Sequence, residues 1–175
     1  GSSGGVAEQI LGEALKDRRD KAVITTKAGN PVNGPDSTFD ISRDHLTRQL
    51  SRSLKYMKTE YVDIFELHRP DGRTSLEESI GAMADFIKQG KVRHWGSSNF
   101  DAAQLREMVK ICDDSGAPRP VVTQPQFSWL NREPAEGHIP AAIEGGMAVT
   151  PYRVLESGLL TGKYTPESQF PEGDE

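Results

Sequence analysis

Short apolar or β-branched runs alternate along this chain with segments whose apolar residues recur at helical spacing. From the amino terminus the pattern is α-β-α-β-α-β-α-β-α-β. Strict alternation of this kind indicates a parallel sheet whose strands are joined by helices. The strands are short and apolar on both faces, as a parallel sheet requires. They are predicted at 22–27, 61–68, 94–99, 121–128 and 147–152.

Helix start and stop signals agree with this alternation. Ser42 is a plausible N-cap, and Ser75 with Glu78 has the spacing of a capping box. Asp101 with Gln104 begins a further helix, and a short helix is predicted near 140–145. Gly90 and Gly116 are predicted to end two helices. Apolar residues at helical spacing indicate two more helices, and these residues are Val6, Ile10, Leu11, Ala14, Leu15, Leu46, Leu50 and Leu54.

Two architectures fit the alternation: an open doubly wound sheet and a (β/α)₈ barrel. No predicted strand is followed by the G-x-G-x-x-G pattern expected of a dinucleotide-binding doubly wound sheet. A barrel collects its chemistry at the carboxyl ends of its strands. Polar residues stand at or near these ends in all five predicted strands, namely Lys27, His68, Ser98 with Asn99, Gln124 and Tyr152.

The length of the chain limits this interpretation. A complete barrel takes about 250 residues, whereas this sequence has 175 residues and five predicted strands. We therefore expect one domain over residues 1–175 with about five of the eight βα units of a barrel, or else an open five-stranded sheet.

Composition excludes several function classes. The net charge is −5 without a strongly basic block, which argues against a nucleic-acid or anionic-membrane binder. No apolar run approaches the ~18 residues of a membrane span, and no secretory signal is visible. A single cysteine, Cys112, excludes a disulfide framework, fits a reducing cytoplasm, and lies on the apolar stripe of a helix. The initial GSSGG is either an expression scar or a native loop.

Two of the strand-end residues have side chains suited to catalysis. Lys27 is either a solvated strand terminus or a cation among apolar walls, able to lower a neighbour's pKa or to form a Schiff base. His68 either closes a turn or moves a proton near neutral pH. His45 and His94 are predicted to be structural or exposed, and His138 to lie in a loop. No two histidines have metal-ligand spacing, so no metal is assigned.

The remaining strand-end residues suit a planar amide ligand. Ser98, Asn99 and Gln124 together offer donors and acceptors to a carboxamide. Tyr152 is either a core aromatic or a platform for a flat ring. In the segment that follows, Gly158 and Gly162 permit close backbone approach, and Arg153 and Lys163 are either phosphate contacts or solvated.

Taken together, the motifs resemble the aldo-keto reductase superfamily over nearly the whole chain. They stand in order as AEQILGEAL, VITTK, SLKYMKTEYVDIFELHRPD, IKQGKVRHWGSSNF, TQPQFSWLNR and PYRVLESGLLTGKY. The resemblance implies a (β/α)₈ barrel that reduces aldehydes and ketones with a nicotinamide cofactor, usually NADPH, with NADH as the alternative. It implies no particular carbonyl substrate or oligomeric state.

The resemblance also implies roles for individual positions. Lys27 and His68 match catalytic residues, Tyr152 matches the position that stacks on the nicotinamide, and Ser98, Asn99 and Gln124 match the residues that hold its carboxamide. The segment 153–159, with Arg153, Leu155, Gly158 and Leu159, matches the loop along the pyrophosphate. Where the family usually has Tyr-Ser-Pro-Leu, this chain has Tyr-Arg-Val-Leu. This departure removes the hydroxyl expected to contact phosphate, for which Arg153 could substitute by charge.

Two parts of the family pattern are not found in these 175 residues. The family's catalytic set includes an aspartate and a proton-donating tyrosine upstream. If Gly1 is the glycine that follows this tyrosine in the family, the tyrosine is expected one residue before it. The segment that grips the adenosine 2′-phosphate is expected beyond the last residue. We therefore expect residues 1–175 alone to be impaired in catalysis. Two other functions stay open: a noncatalytic NADPH-binding partner similar to potassium-channel β subunits, and a barrel enzyme that forms a Schiff base at Lys27.

Overall fold

A computed structural model describes residues 5–31, 38–165 and 168. Its five strands form one parallel sheet in the order β1-β2-β3-β4-β5, so that strands consecutive in the chain are neighbours in the sheet. A doubly wound sheet reverses its strand order at a switch point, which this sheet does not do. The strands are β1 (Thr25–Ala28), β2 (Val62–Leu67), β3 (Val92–Ser98), β4 (Val122–Gln124) and β5 (Ala148–Val149).

Five helices cover one face of this sheet. Each helix contacts the next one along the chain, which places all five on the same side. The opposite face is left to the side chains that alternate with the core residues of the strands. The helices are α1 (Val6–Ala14), α2 (Arg43–Met57), α3 (Leu76–Lys88), α4 (Ala102–Ser115) and α5 (His138–Glu144), with 3₁₀ turns at Arg19–Lys21, Glu133–Ala135 and Glu156–Thr161.

The hydrophobic core lies between the sheet and the helices. Phe65 of β2 is fully buried and packs edge-on against Phe86 of α3, with ring centroids 6.1 Å apart. Leu67 is also fully buried and has the same parity along β2 as Phe65. Because strand side chains alternate between faces, Glu66 and His68 point to the face that the helices leave open.

The predicted cap residues hold the helix starts, with one correction. The Ser42 hydroxyl accepts a hydrogen bond from the backbone of His45, and Asp101 forms a complete capping box at α4. At α3 the predicted capping box is only half formed. Ser75 accepts from the Glu78 N–H, but the Glu78 carboxylate accepts from the backbone N–H of Arg43 at 2.9 Å. The backbone N–H of Arg43, at the start of the neighbouring helix α2, therefore uses the Glu78 carboxylate that would complete the box.

Four of the five strands are shorter than predicted, and the last two differ most. Within 121–128 only Val122–Gln124 pair as a strand, and within 147–152 only Ala148–Val149 do. Pro125 and Pro151 follow closely, and each lacks the N–H that a ladder needs. Beyond these prolines an isolated β-bridge joins Gln126 to Tyr152 and keeps the two segments side by side.

The prediction that His138 lies in a loop is wrong, because His138 is buried as the first residue of α5. Pro140 obscures this helix in the sequence but is tolerated in a first turn. Of the two histidines predicted to be structural or exposed, His94 is exposed and His45 is half-buried beside Asp40. Cys112 is buried as predicted, and burial raises the pKa of its thiol to about 11.

No helix in the described ranges is long and apolar enough to cross a membrane.

Candidate active site

The carboxyl edge of the sheet gathers the side chains that the sequence singled out. Lys27 stands one residue before the end of β1, His68 directly follows β2, and Ser98 and Gln124 are the last residues of β3 and β4. The strand register pairs Ser98 with Gln124. Tyr152 follows β5 at the same edge, so one rim collects the candidate residues, as the strand ends predicted.

Lys27 forms an ion pair that the sequence analysis missed. Its ammonium nitrogen lies 3.0 Å from Oε2 of Glu66, the residue that the register places beside it on β2. The Glu66 side chain is 0% exposed and that of Lys27 is 25% exposed. Burial raises the pKa of the Glu66 carboxyl, and the charge of Lys27 opposes this rise. The available signal was a glutamate among the apolar residues in the carboxyl-terminal half of β2.

His68 is held in its neutral form. Its backbone N–H donates to the Ala28 carbonyl at 2.8 Å, which fixes the residue where β2 leaves the sheet. Burial, with the charges of Lys27 and Arg69, lowers the pKa of His68 to about 4. Near neutral pH the ring therefore presents one N–H donor and one nitrogen acceptor. The Ala28 carbonyl that His68 bonds belongs to the residue after Lys27, so Lys27 and His68 stand at the ends of neighbouring strands.

Asn99 organises the next part of the rim. Its backbone has φ 62°, a left-handed conformation that asparagine tolerates better than most residues. Its Nδ2 donates to the His68 carbonyl at 2.9 Å and to the Ser98 hydroxyl at 3.0 Å. The Tyr152 hydroxyl donates to Asn99 Oδ1 at 2.6 Å, and the Ser98 hydroxyl donates to the Gln124 carbonyl at 2.9 Å. This network ties the ends of β2, β3, β4 and β5 together.

The same network leaves a defined set of polar atoms for a ligand. Both Nδ2 protons of Asn99 are used, but its Oδ1 accepts only one hydrogen bond and has a second lone pair. Among the residues that the structure describes, the Gln124 side-chain amide has no hydrogen-bond partner. The rim thus offers an acceptor at Asn99 and a donor–acceptor amide at Gln124.

A buried hydrogen-bond chain supports this rim from the helix side. The Ser97 and Thr123 hydroxyls lie 3.2 Å apart, and Thr123 Oγ1 lies 3.1 Å from Nε2 of His138. Nδ1 of His138 lies 2.9 Å from the Phe100 carbonyl. A carbonyl only accepts, so Nδ1 carries the proton and Nε2 accepts from Thr123. His138 thereby fixes the loop after Asn99, a role that its position in the sequence did not reveal.

The segment after Tyr152 has an unusual backbone. Arg153, Glu156, Ser157 and Gly158 all have positive φ, and the value of 104° at Gly158 suits glycine. The residues that the sequence singled out here lie on this exposed stretch, with Leu155 56% and Leu159 51% exposed. The structure thus places Arg153, Leu155, Gly158 and Leu159 beside the rim with open surface around them.

A cavity of about 520 Å³ opens next to this rim. Asn99 and Tyr152 form part of its wall, together with Asp101, Gln126 and His138. Lys27 and His68 do not line it, so it is separate from the face that carries the charged pair. Within the described ranges, no group of three histidine, cysteine or acidic side chains is placed to hold a metal ion.

Known proteins are similar to this chain over nearly its whole length. The family model described as Aldo/keto reductase family matches residues 3–175. The chain belongs to the aldo/keto reductase family. Its relatives include the aldo-keto reductase YhdN of Bacillus subtilis (strain 168), which is 32% identical over 174 residues, covering 98% of this chain and 50% of that protein.

A second relative is named as a potassium-channel subunit. A probable voltage-gated potassium channel subunit beta of Oryza sativa subsp. japonica is 35% identical over 164 residues, covering 91% of this chain and 50% of that protein. The chain thus spans about half the length of the curated relatives that it matches.

A solved structure confirms the predicted fold class. The structure of a glycerol dehydrogenase from Gluconobacter oxydans superposes with a TM-score of 0.84 at 28% identity, over 97% of this chain and 52% of that one. The five parallel strands with their helices are therefore part of a TIM-type α/β barrel.

Proposed function

We propose that this chain carries the lysine, the histidine and the nicotinamide-binding rim of an NAD(P)H-dependent aldo-keto reductase, which reduces an aldehyde or ketone to an alcohol. The observation that carries the proposal is the placement of Lys27 and His68 at the ends of neighbouring strands on the open face of the sheet, where the backbone N–H of His68 donates to the carbonyl of Ala28, the residue after Lys27. A cation and a neutral imidazole at neighbouring strand ends suit a reaction in which negative charge develops on a carbonyl oxygen.

The polar atoms at the rim fit a nicotinamide. A carboxamide donates through its NH₂ group and accepts through its oxygen. The second lone pair of Asn99 Oδ1 can accept a hydrogen bond from the NH₂ group of the carboxamide. The side-chain amide of Gln124 can donate one to the carboxamide oxygen. The Tyr152 ring is tied to Asn99 by a 2.6 Å hydrogen bond and can support a flat ring. Neither contact requires the existing network to break.

The segment 153–159 suits the phosphates of such a cofactor. Arg153 is exposed and positively charged, and Gly158 lies in a left-handed backbone that allows close approach. The Gly158 backbone also lies beside the Lys163 side chain, since a Cβ there would be 3.3 Å from its ammonium nitrogen. We propose that Arg153 and Lys163 meet the pyrophosphate by charge, without the hydroxyl contact usual in the family.

The chemistry divides between cofactor and protein. A dihydronicotinamide bound at this rim would supply the hydride for the carbonyl carbon of the substrate. His68, neutral near pH 7, donates a hydrogen bond to the carbonyl oxygen as charge develops there. Lys27 contributes its positive charge, which lowers the pKa of a neighbouring acid.

Neither Tyr152 nor Tyr61 is placed to donate the proton that the mechanism needs. Tyr152 uses its hydroxyl on Asn99. The Tyr61 ring packs under Arg19 and Arg93 at the amino end of β2, away from His68. We propose that residues 1–175 alone bind the cofactor without efficient turnover, since general acid catalysis contributes about 10²–10⁴-fold.

Two other functions make contrasting predictions. The channel-subunit name of the rice relative is compatible with a role as a partner protein. A Schiff-base enzyme needs an uncharged amine at Lys27, whereas the Glu66 ion pair favours the ammonium form. We therefore rank the reductase first. The free buried thiol of Cys112 is consistent with a reducing compartment such as the cytoplasm.

The test uses the protein at its natural full length. NADPH binding is measured by quenching of tryptophan fluorescence, and turnover by NADPH oxidation with an aromatic aldehyde, in wild type, H68Q and the exposed-site control H94Q. We expect H68Q to bind NADPH like wild type but to lose at least about tenfold in kcat, and H94Q to match wild type. Binding without turnover in wild type would support the partner function. Borohydride trapping of a carbonyl on Lys27 would support the Schiff-base enzyme, and absence of NADPH binding would reject both cofactor-based functions.

A further inference from the structure

The Glu66 carboxylate is a charged group in a place where charge is costly. Its side chain is 0% exposed, and among the described residues neither of its oxygens has a hydrogen-bond partner beyond the Lys27 ammonium. Glutamates are almost never fully buried unless they are paired. A buried ion pair also adds little to stability compared with well-packed apolar residues. Stability alone therefore does not account for Glu66.

The position of Glu66 relates it to the reacting groups. It lies directly beside Lys27 in the strand register and two residues before His68 on β2, so that all three side chains share the open face of the sheet. Lys27 also directly precedes Ala28, whose carbonyl accepts the backbone N–H of His68 at 2.8 Å. A carboxylate 3.0 Å from the ammonium both fixes its position and compensates part of its charge.

We propose that Glu66 is a positioning residue, which holds the Lys27 ammonium beside His68 and keeps it protonated during carbonyl reduction. This inference rests on the proposed function. It is distinct from the upstream aspartate of the family's catalytic set, because Glu66 comes from the strand that carries His68. Glu66 acts through Lys27 and makes no contact with the substrate.

Asp63 provides a matched control on the same strand. Its carboxylate is also buried and paired, with Arg19 at 2.8 Å and the Ile24 N–H at 2.9 Å. Asp63 has the opposite parity to Glu66 along β2, and its partners stand at the amino ends of the strands. D63N therefore removes a buried paired carboxylate from β2 without changing the charge beside Lys27.

The experiment compares wild type, E66Q, E66D and D63N in the full-length protein. Removal of an opposite charge at this distance shifts a pKa by about one unit or more. We expect the alkaline limb of the kcat profile of E66Q to move down by about one pH unit, with little change in the KM for the carbonyl. E66D, which keeps the charge, should restore the position of the limb. D63N should lower stability and leave the profile where it is.

A second readout does not depend on turnover. The reactivity of the Lys27 amine towards acetic anhydride, followed by mass spectrometry across alkaline pH, reports its deprotonation directly. We expect the midpoint in E66Q to fall by about one unit relative to wild type and to D63N. If no carbonyl is reduced, the proposed function fails while the labelling still tests the pair. An unchanged midpoint in E66Q, or an equal shift in D63N, would overturn the role of Glu66.

Discussion

The substitution Lys27→Met isolates the energetic cost of the buried carboxylate. It removes the ammonium 3.0 Å from a fully buried Glu66 and leaves that carboxylate without a partner among the described residues. Breaking one side of a buried pair costs about 3–5 kcal/mol. Because the lysine side chain is 25% exposed, and solvent screens that end of the pair, we expect the lower end, about 3 kcal/mol.

The pH dependence of this loss follows from the direction of the Glu66 pKa. Burial raises the pKa of Glu66 in the folded protein, and K27M removes the charge that opposes the rise. A carboxyl with a raised folded pKa is protonated without penalty below its unfolded value, and its stability contribution is lost as the pH rises through the folded value. The difference between K27M and wild type should therefore grow from acidic towards neutral pH.

The assay is urea unfolding of the full-length protein for wild type, K27M, E66L and the double variant K27M/E66L. Replacing both partners with apolar residues should recover most of the loss, because no buried charge remains. A K27M variant within about 0.5 kcal/mol of wild type at neutral pH would refute the reasoning. A double variant no more stable than K27M would refute it equally.

Three further substitutions test the support of the rim. H138L leaves the Phe100 carbonyl without its donor and should cost about 1–3 kcal/mol in urea unfolding; full stability would contradict the inferred bond. G96A places a Cβ 2.5 Å from backbone of the next strand and should destabilise by about 1–3 kcal/mol, whereas G81A on a helix should not. Y152F keeps the ring and loses only its hydroxyl, so NADPH affinity should fall much less than in Y152A; equal losses would show that stacking is not the role of the ring.

The rim could be predicted because its signal is local. Each short apolar run ends in a polar residue, and parallel strands place their carboxyl ends at one edge. Lys27, His68 and Gln124 are visible in this way without knowledge of the fold. Their roles in binding and catalysis stay predictions.

The missed residues depend on partners that are distant in sequence. From the sequence alone, Glu66 is a charged residue in a strand with no visible partner. The strand register shows that Lys27 lies beside it. His138 lies two residues before Pro140. Its hydrogen-bond partners, Thr123 and the Phe100 carbonyl, are distant in sequence. The half-formed capping box at Ser75 has the same cause, because a neighbouring helix start competes for the glutamate. Local patterns cannot encode these tertiary contacts.

The most direct test of the reductase function follows the hydride itself. The full-length protein is incubated with an aromatic aldehyde and NADPH that carries deuterium at the transferring position of C4, and the alcohol is examined by mass spectrometry. We predict one deuterium on the carbinol carbon of the alcohol, and a much slower reaction in H68Q. Alcohol without deuterium, or NADPH binding with no alcohol formed, would contradict the proposal that this rim supports hydride transfer.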